Sequence, residues 1–394
     1  MRRQLFALML ICTVLAVSCG SEKKHKEMIA GPLREETLRR ADEALKAEPL
    51  TITAFPAERS AGGIHDFYSE ADYSWPDPKD PDAPYIGRDG YSYPGLYDEH
   101  RAVLLRLCNT VSDLTSAWIL TGDMKYAEAV EPHIMAWFVN EDTMMAPNML
   151  YAQAVRNKFT GRCYGIIDAV HLVEVVQSMI RLEAAGILSS ECLEKTKSWF
   201  YQFADWMWSD MQGVTEMHTG NNHGVCWILQ VGMYAKYCGW EEMFHFCQNR
   251  FMYKYLPEMA PDGSFPMETA RTKSYGYSIF DLDAMVGVCQ ALSTPDCDLF
   301  TFKASNGNTI RMAMDFLYPY IKDKSNWPFG KDVTHWDDWP VAQPFMIFAW
   351  NRFCKDRSFP ADDYYQTWLA LDHFPTDKEV IRNLPMRHPI LWIY

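Results

Sequence analysis

Apolar residues recur at three- and four-residue intervals along most of the chain, which is the pattern of amphipathic α-helices. The clearest case is residues 99–121, where Val103, Leu107 and Val111 share one helix face and Gly122 follows as a stop signal. The same spacing predicts further helices at 125–139, 165–185, 192–208, 225–238, 241–256, 278–292, 309–321 and 341–353. The chain is therefore predicted to be mainly helical.

Extended segments are few. Only short runs such as 50–53 have the composition of a strand, and strands do not alternate with helices along the chain. Long helices joined by turns form antiparallel hairpins. Because no sharp sequence repeat is present, an α/α toroid, open or closed, is favoured over a regular solenoid. We predict an all-α fold of this type, with helix ends and loops around a central groove.

Two long segments interrupt the helical pattern. Residues 60–97 are dense in Gly, Pro, Asp and aromatic residues, and residues 140–162 are similar but less aromatic. Loops of this length on a rigid scaffold commonly carry function. We predict that residues 60–97 form a wall or lid of the groove, and the alternative is an ordered wrap around the toroid.

The N-terminus has the pattern of an export signal. Arg2 and Arg3 precede an apolar run that ends just before Cys19, so residues 1–18 are predicted to be a signal peptide. Residues 15–19 also resemble a bacterial lipobox, in which the cysteine is acylated, although Ala16 replaces the usual leucine. We therefore expect a bacterial lipoprotein anchored through Cys19, periplasmic or at the outer membrane, with ordinary signal cleavage as the alternative. Residues 19–45 would be a tether and first helix, and 46–394 a single domain.

Composition narrows the classes of partner. The net charge of −14 argues against nucleic acid. It does not exclude an anionic polysaccharide, because a few cations in a low-dielectric cleft act locally. Nine cysteines follow Cys19, an odd number without a Cys-x-x-Cys pair, so neither a disulfide framework nor a zinc site is indicated. No dinucleotide, phosphate-loop or metal-pair motif is present, and no cofactor or metal is predicted.

The sharpest local motif is HTGNNHG at 218–224, directly before an apolar helix. Asparagine is a good helix cap, and capping by Asn221 or Asn222 would explain one residue of the pair but not the Asn-Asn-His cluster. At a helix N-terminus, the amide of Asn222 and the imidazole of His223 would join free backbone N–H groups and the positive end of the helix dipole. This combination suits a carboxylate.

The second motif lies at 266–278, where one carboxylate, two cations and two phenols occur within ten residues: Glu268, Arg271, Lys273, Tyr275 and Tyr277. Taken alone, the segment could be a solvated turn with a surface ion pair. Together with the first motif it indicates a reactive site.

These motifs, together with GGIHDFY at 62–68, DYSWP at 72–76, and the Gly161-Arg162 and 165–168 segments, resemble the alginate lyase superfamily over residues 62–339. That superfamily includes the family 5 mannuronate lyases and the family 38 uronan lyases. The resemblance implies an α/α toroid and a polysaccharide lyase. It also implies that Asn222, His223 and Arg271 neutralise the substrate carboxylate and that Tyr277 transfers the proton.

The spacing between the arginine and the tyrosine points to one branch. In family 5 the tyrosine lies seven residues after the arginine, whereas here Tyr277 lies six after Arg271 and Ser278 takes the seventh place. The spacing of six resembles family 38. Tyr275 is the less favoured substitute for Tyr277.

The chemistry explains these residue types. Removing the C5 proton of a uronate adds charge beside the carboxylate, so donors and a cation must stabilise the enolate-like state. A free tyrosine ionises near pH 10, so Tyr277 needs a nearby cation such as Arg271 to become a phenolate at working pH. In β-linked mannuronate or glucuronate the C5 proton and the C4 oxygen lie on one side, so one tyrosine serves both, whereas guluronate needs a second residue such as His223.

We therefore predict syn β-elimination on a β-1,4-linked uronic-acid polymer, mannuronate-rich alginate or glucuronan, that leaves a 4,5-unsaturated end. The predicted substrate contacts are His65, Tyr73, Trp75, Arg88, Arg101, Arg162 and Glu268, the last also placed to orient Arg271. Two alternatives remain. A glycoside hydrolase would need two carboxylates across the bond, for example Asp168 and Glu268. A surface glycan-binding lipoprotein would keep the groove without activity.

Overall fold

The computed structural model describes the backbone of residues 2–80 and 82–394 and the side chains of 23–80 and 82–394. Residues 1–18, predicted to be a signal peptide, and Cys19 lie outside the range of described side chains. The helices are α1 Arg2–Ala44, α2 Glu99–Thr121, α3 Met124–Glu128, α4 Val130–Phe138, α5 Leu172–Ala184, α6 Ser190–Ser209, α7 Met211–Met217, α8 Asn222–Cys238, α9 Glu241–Arg250, α10 Leu256–Glu258, α11 Pro266–Thr269, α12 Ser274–Leu292, α13 Ile310–Lys322, α14 Pro344–Phe353, α15 Ala361–Ala370, α16 Lys378–Arg382 and α17 Pro389–Ile393.

The longer inner helices form a ring. Helices α2, α5, α8, α12 and α14 contact one another in that order, and α17 contacts α14, α2 and α5 and so closes the ring. Helices α1, α6, α9, α13 and α15 pack against its outside. Chain order alternates between inner and outer helices, which is the arrangement of an α/α toroid and confirms the predicted fold class.

Burial explains which helices lie inside. Every residue of α12 except Tyr277 and Gln290 is buried. A helix that is apolar on all sides is stable only when neighbours surround it. The outer helix α13 instead keeps one apolar face inward, with Ile310, Met314 and Ile321 buried. The position of Tyr277 as one of two partly exposed residues on α12 shows where the ring opens.

Two small sheets order the long loops. Strands β1 (Tyr68–Glu70) and β4 (Tyr151–Ala154) pair in parallel, and β2 (Ser74–Trp75) and β3 (Ile86–Gly87) form an antiparallel pair. The first pair joins the 60–97 segment to the 140–162 segment. Both segments therefore belong to one ordered wall.

The predicted helix bounds were good where the apolar period was long. Helix α2 has the predicted bounds, whereas the 125–139 segment breaks into α3 and α4, and the 165–185 segment starts as a 3-10 helix, Cys163–Ala169. The extended run predicted at 50–53 is wrong, because Ile52–Ala54 is a 3-10 turn with Ile52 buried. A π-helical turn, Phe251–Tyr255, links α9 to α10. The prediction of one domain over 46–394 stays a prediction.

Most of the described cysteines belong to the hydrophobic core. In the part of the chain with described side chains, the nine cysteines from Cys108 to Cys354 are unpaired, and five of them are fully buried as small apolar residues.

No single helix among the described residues is long and apolar enough to cross a membrane. One bent pair, Cys163–Ala169 with Leu172–Ala184, meets that test by length and composition.

The glycine of the Asn-Asn-His-Gly motif is needed for close packing. A Cβ on Gly224 would lie 2.4 Å from both the Thr219 carbonyl oxygen and the Tyr255 hydroxyl oxygen. We predict that Gly224→Ala lowers the free energy of unfolding by about 1–3 kcal/mol, the usual cost of overpacking. Urea denaturation measures this. The control is Gly87→Ala, where a Cβ meets nothing within 4 Å, and equal stability of the two variants would contradict the packing argument.

Candidate active site

A cavity of about 340 Å³ opens where four inner helices begin. It is lined by Asp72, Tyr73, Arg101, Leu105, Gln153, Tyr164, Ile167, Asp168, His171, Asn221, His223, Arg271, Tyr277, Phe280, Glu379, Arg382 and Asn383. These residues include the first turns of α2, α8 and α12 and the residue that precedes α5. The positive ends of four helix dipoles therefore point towards the cavity, which favours an anion despite the negative net charge.

Two tyrosines meet in the cavity. Tyr277, in the first turn of α12, and Tyr73, from the 60–97 segment, have hydroxyl oxygens 2.5 Å apart. The guanidinium of Arg271 lies 4.1 Å from the centroid of the Tyr277 ring. Of the two tyrosines in the second motif, Tyr275 is fully buried and its hydroxyl donates to the Tyr320 carbonyl. The arrangement therefore favours Tyr277 over Tyr275.

A phenolate at Tyr277 is disfavoured in this arrangement. Burial raises the pKa of Tyr277 to about 12, and the charge of Arg271 only partly opposes it. Burial and the neighbouring Tyr277 also raise the pKa of Tyr73 well above its ordinary value. The charge of Arg271 lowers the pKa of Tyr277, as a nearby cation should, but desolvation outweighs it. Both residues are neutral phenols at neutral pH.

Arg271 is held by the facing loop. Its Nη2 and Nε lie 2.6 and 3.3 Å from the carboxylate of Asp89, and the Thr272 hydroxyl donates to the same carboxylate at 2.8 Å. Burial opposes ionisation of Asp89, but the hydrogen bond from Arg271 holds its pKa below the ordinary value. This pair joins the 266–278 motif to the 60–97 wall and fixes the guanidinium beside Tyr277.

His223 is oriented from behind by a buried carboxylate. Its Nδ1 lies 2.6 Å from Glu216 Oε1, and Glu216, on α7, is fully buried. Burial raises the pKa of Glu216, and His223 opposes the rise. With Nδ1–H donated to Glu216, the tautomer assigned from this contact leaves Nε2 available at the cavity. The Tyr164 ring packs edge-on against the imidazole at 5.1 Å.

The two asparagines have different positions. Asn222 is 1% exposed, and its backbone N–H and side-chain amide both donate to Glu268 Oε1, at 3.0 and 2.7 Å. Asn221 is at the N-cap position but makes no side-chain cap bond, and it lines the cavity. Asn222 therefore lies behind the cavity surface. Its side chain carries the contact between the start of α8 and Glu268.

The prediction of Glu268 as a substrate contact is wrong. Its side chain is fully buried and receives both hydrogen bonds from Asn222. Burial raises its pKa, with Asn222 and Arg271 opposing. A carboxylate is thus already present behind the N-terminus of α8, where it holds the Asn-Asn-His turn in place. Asp168 instead accepts from Ser69 and Gln153 beside Arg101, so Asp168 and Glu268 do not face a common bond as a hydrolase requires.

The remaining predicted contacts divide into two groups. Arg101 lines the cavity but is 3% exposed and contacts Asp72, Asp98 and Asp168 at 2.8, 3.2 and 3.4 Å. Arg162 donates to the carbonyl and side chain of Gln153 and so supports the cavity wall without lining it. These arginines are held by protein partners.

The other three predicted contacts lie away from the cavity lining. Trp75 and Arg88 stack on each other, with the guanidinium 4.8 Å from the ring centroid. His65 Nδ1 contacts the Met144 carbonyl oxygen at 2.7 Å. The structure therefore brings Tyr73, Arg101, His223, Arg271 and Tyr277 together at one cavity, and leaves His65, Trp75 and Arg88 outside it.

Several site residues escaped the sequence analysis. Glu216 lies seven residues before His223, but the two residues belong to separate helices, α7 and α8, so no helical period joins them. Lys273 was noted within the motif but given no role. Glu379 and Arg382 come from α16, far along the chain, and no local pattern marks them.

Among the described side chains, one group has spacing suitable for a metal. His335, Asp338 and Asp377 offer ligand atoms within 4.8 Å of one another. These residues do not line the cavity.

The chain is similar to alginate lyases over most of its length. The alginate lyase family model matches residues 51–327. The solved structure of an alginate lyase from Bacteroides ovatus is 30% identical, with a TM-score of 0.78 over 95% of this chain and 97% of that chain. No curated protein sequence gives a significant match.

More distant structures share the fold. Alginate lyase A1-III from Sphingomonas species A1 is 13% identical, with a TM-score of 0.53 over 81% of this chain and 87% of that one. A variant of alginate lyase A1-III in complex with a tetrasaccharide is 12% identical, with a TM-score of 0.58 over 90% and 95%.

A buried carboxyl group beneath the site should make stability depend on pH. Asp281 on α12 is 4% exposed, and burial together with the charge of Glu268 raises its pKa well above the ordinary value. The folded protein therefore binds this proton more tightly than the unfolded chain, and stability falls as pH rises above about 4. We predict that Asp281→Asn gains stability relative to the wild type between pH 4 and 7. Urea unfolding at each pH checks this, and parallel curves would contradict it.

Proposed function

This chain is a member of the alginate lyase family, with its α/α toroid, and is a polysaccharide lyase; from that premise we propose that it cleaves a β-1,4-linked uronic-acid polymer, mannuronate-rich alginate or glucuronan, by syn β-elimination. The observation that carries the proposal is the Tyr73–Tyr277 hydroxyl pair beside Arg271, in a cavity where four helices begin. The related enzyme from Bacteroides ovatus is described as an alginate lyase.

The substrate carboxylate fits the cation side of the cavity. Arg271 and the free Nε2 of His223 would hold its oxygens, together with the dipole at the start of α8. Asn222 belongs to this set by fixing the first turn of α8 on Glu268, and Asn221, which lines the cavity, would face the carboxylate. Neutralising this charge makes the C5 proton acidic enough to be removed.

Tyr277 would move the proton. Its phenolate takes the C5 proton, the C4–C5 double bond forms as the C4–O4 bond breaks, and the tyrosine hydroxyl returns the proton to O4. A high pKa of Tyr277 suits the return of the proton to O4, because the phenol is a ready donor to the leaving oxygen. Removal of the C5 proton needs the phenolate, which Arg271 and the hydroxyl of Tyr73 stabilise.

The polymer is tested by incubating the purified protein with polymannuronate, glucuronan, polyguluronate and a glycosaminoglycan. We expect ultraviolet absorbance of a C4–C5 double bond from the first two. Polyguluronate should be slow, because its C5 proton and C4 oxygen lie on opposite faces. New reducing ends without that absorbance would indicate hydrolysis, and binding without turnover would favour the glycan-binding alternative.

The proton-transfer role predicts a large loss in Tyr277→Phe. Removal of a general acid–base group costs about 10²–10⁴-fold in rate, so kcat should fall by that factor while the folded state persists. Tyr275→Phe is the matched control, since it removes a buried hydroxyl in the same helix. If Tyr275→Phe lost the activity and Tyr277→Phe kept it, the assignment would be reversed.

The neutral phenol predicts a pH dependence. Because the pKa of Tyr277 is raised to about 12, the phenolate fraction grows about tenfold for each pH unit below that value. We expect log kcat/KM on polymannuronate to rise with a slope near one between pH 6 and 7.5. A flat profile over that range would show that the reactive base is already ionised.

We also propose that residues 1–18 are an export signal and that Cys19 carries a lipid anchor. The apolar run after Arg2 and Arg3 and the small residue before Cys19 support this. In a bacterial host, the wild type should fractionate with membranes and incorporate labelled fatty acid. Cys19→Ser should do neither, and unlabelled wild type in the soluble fraction would point to ordinary signal cleavage.

A further inference from the structure

A buried lysine lies beside the reactive tyrosines. Lys273 sits one turn before Tyr277, at the N-cap position of α12, and is 3% exposed. Its Nζ is 5.0 Å from the centroid of the Tyr73 ring and 5.4 Å from that of the Tyr277 ring. One ammonium group is thus close to both phenols of the hydrogen-bonded pair.

Among the described side chains, the lysine has one close counter-ion, and it comes from a distant part of the chain. Its Nζ contacts Glu379 Oε1, and Glu379 Oε2 lies 3.1 Å from His335 Nε2. Glu379 belongs to α16, which lies beyond the 51–327 region that matches the family model. The C-terminal segment therefore reaches back to the site and holds a cation there.

The surrounding charges are mixed. Burial lowers the pKa of Lys273 to about 8; the negative charges of Asp72 and Asp332 oppose this, and the positive charges of Arg382 and Arg271 add to it. Lys273 is therefore charged at neutral pH and loses its charge as pH rises through about 8. Burying an ammonium group costs folding free energy unless nearby charges or hydrogen bonds compensate it.

We propose that Lys273, held by Glu379, is a positioning residue for the elimination, and that its ammonium supplies the positive field that lets the Tyr73–Tyr277 pair release a proton to form the phenolate. This inference rests on the proposed function, since it assigns a support to the tyrosine of that reaction. The geometry favours this role of Lys273 over a purely structural one. Its Nζ faces the rings of both phenols and the carboxylate of Glu379, which itself lines the cavity.

The role predicts a distinctive pH profile. Reaction requires an ionised tyrosine and a protonated Lys273, so the rise of kcat/KM with pH should stop near pH 8, where the lysine loses its charge. In Lys273→Arg the cation persists to higher pH, and the rise should continue beyond pH 8. In Lys273→Met the activity should be lower by about 10–100-fold at pH 7, a shift of one to two pH units in the tyrosine ionisation, with no break near pH 8.

The experiment measures kcat/KM on polymannuronate from pH 6 to 9.5 for these proteins. Lys324→Met is the control, because Lys324 is also partly buried but donates to the carbonyls of Trp336 and Trp339 at 2.6 Å and contacts neither phenol. The control should keep the wild-type profile. A break near pH 8 that persisted in Lys273→Arg, or a Lys273→Met profile equal to that of the wild type, would overturn the proposal.

A second readout does not need the reaction. The Cζ carbon resonances of Tyr73 and Tyr277, assigned by their loss in the Phe variants, should show an inflection between pH 7 and 9 as Lys273 loses its charge. Lys273→Arg should abolish that inflection, and Glu379→Gln should move it to lower pH. If the wild type cleaved no uronan yet showed the inflection, the proposed function would fail and the lysine–tyrosine coupling would stand; absence of the inflection would reject the coupling.

Discussion

The start of four inner helices at one cavity is the constraint on which the rest of the site depends. A ring of helices with alternating inner and outer members runs its inner helices in one direction, so their N-terminal ends meet at the same mouth. First-turn residues such as Arg101, His223 and Tyr277 then face a common space without any need for them to be close in sequence. The summed dipoles also give an acidic protein a local preference for an anion.

Carboxylates behind or beside the donors hold this positive mouth in place. Glu216 lies behind His223, Glu268 behind Asn222, and Asp89 beside Arg271. Each contact fixes the direction of a donor that would otherwise be free to rotate. The burial of Glu216 and Glu268 is costly by itself, which is reflected in their raised pKa values. The arrangement exchanges some stability for fixed geometry at the reaction centre.

The sequence was sufficient to predict the fold class and the central residues of the site. It was less informative about the residues that hold those central residues in place. Helix α2 and the Asn-Asn-His and Arg-Tyr motifs were recognisable because long apolar periods and clustered reactive side chains are local signals. Glu268 was misassigned because its burial depends on how α8 packs against α11, which local spacing does not contain. Glu379 went unnoticed because α16 is far from both motifs in the sequence, and only the folded chain brings it to the cavity. The net shift in the pKa of Tyr277 was beyond the sequence, because desolvation is a property of the folded surroundings.

The central claim is that this mouth binds a uronate carboxylate and presents its C5 and O4 to Tyr277. The most direct measurement is a crystal structure of the Tyr277→Phe protein with a mannuronate tetrasaccharide. The account predicts one carboxylate within hydrogen-bond distance of His223 and Arg271 at the start of α8. C5 and O4 of the same sugar residue should both face the ring at position 277. A sugar bound with its carboxylate away from these residues, or with C5 and O4 on opposite sides of that ring, would contradict it.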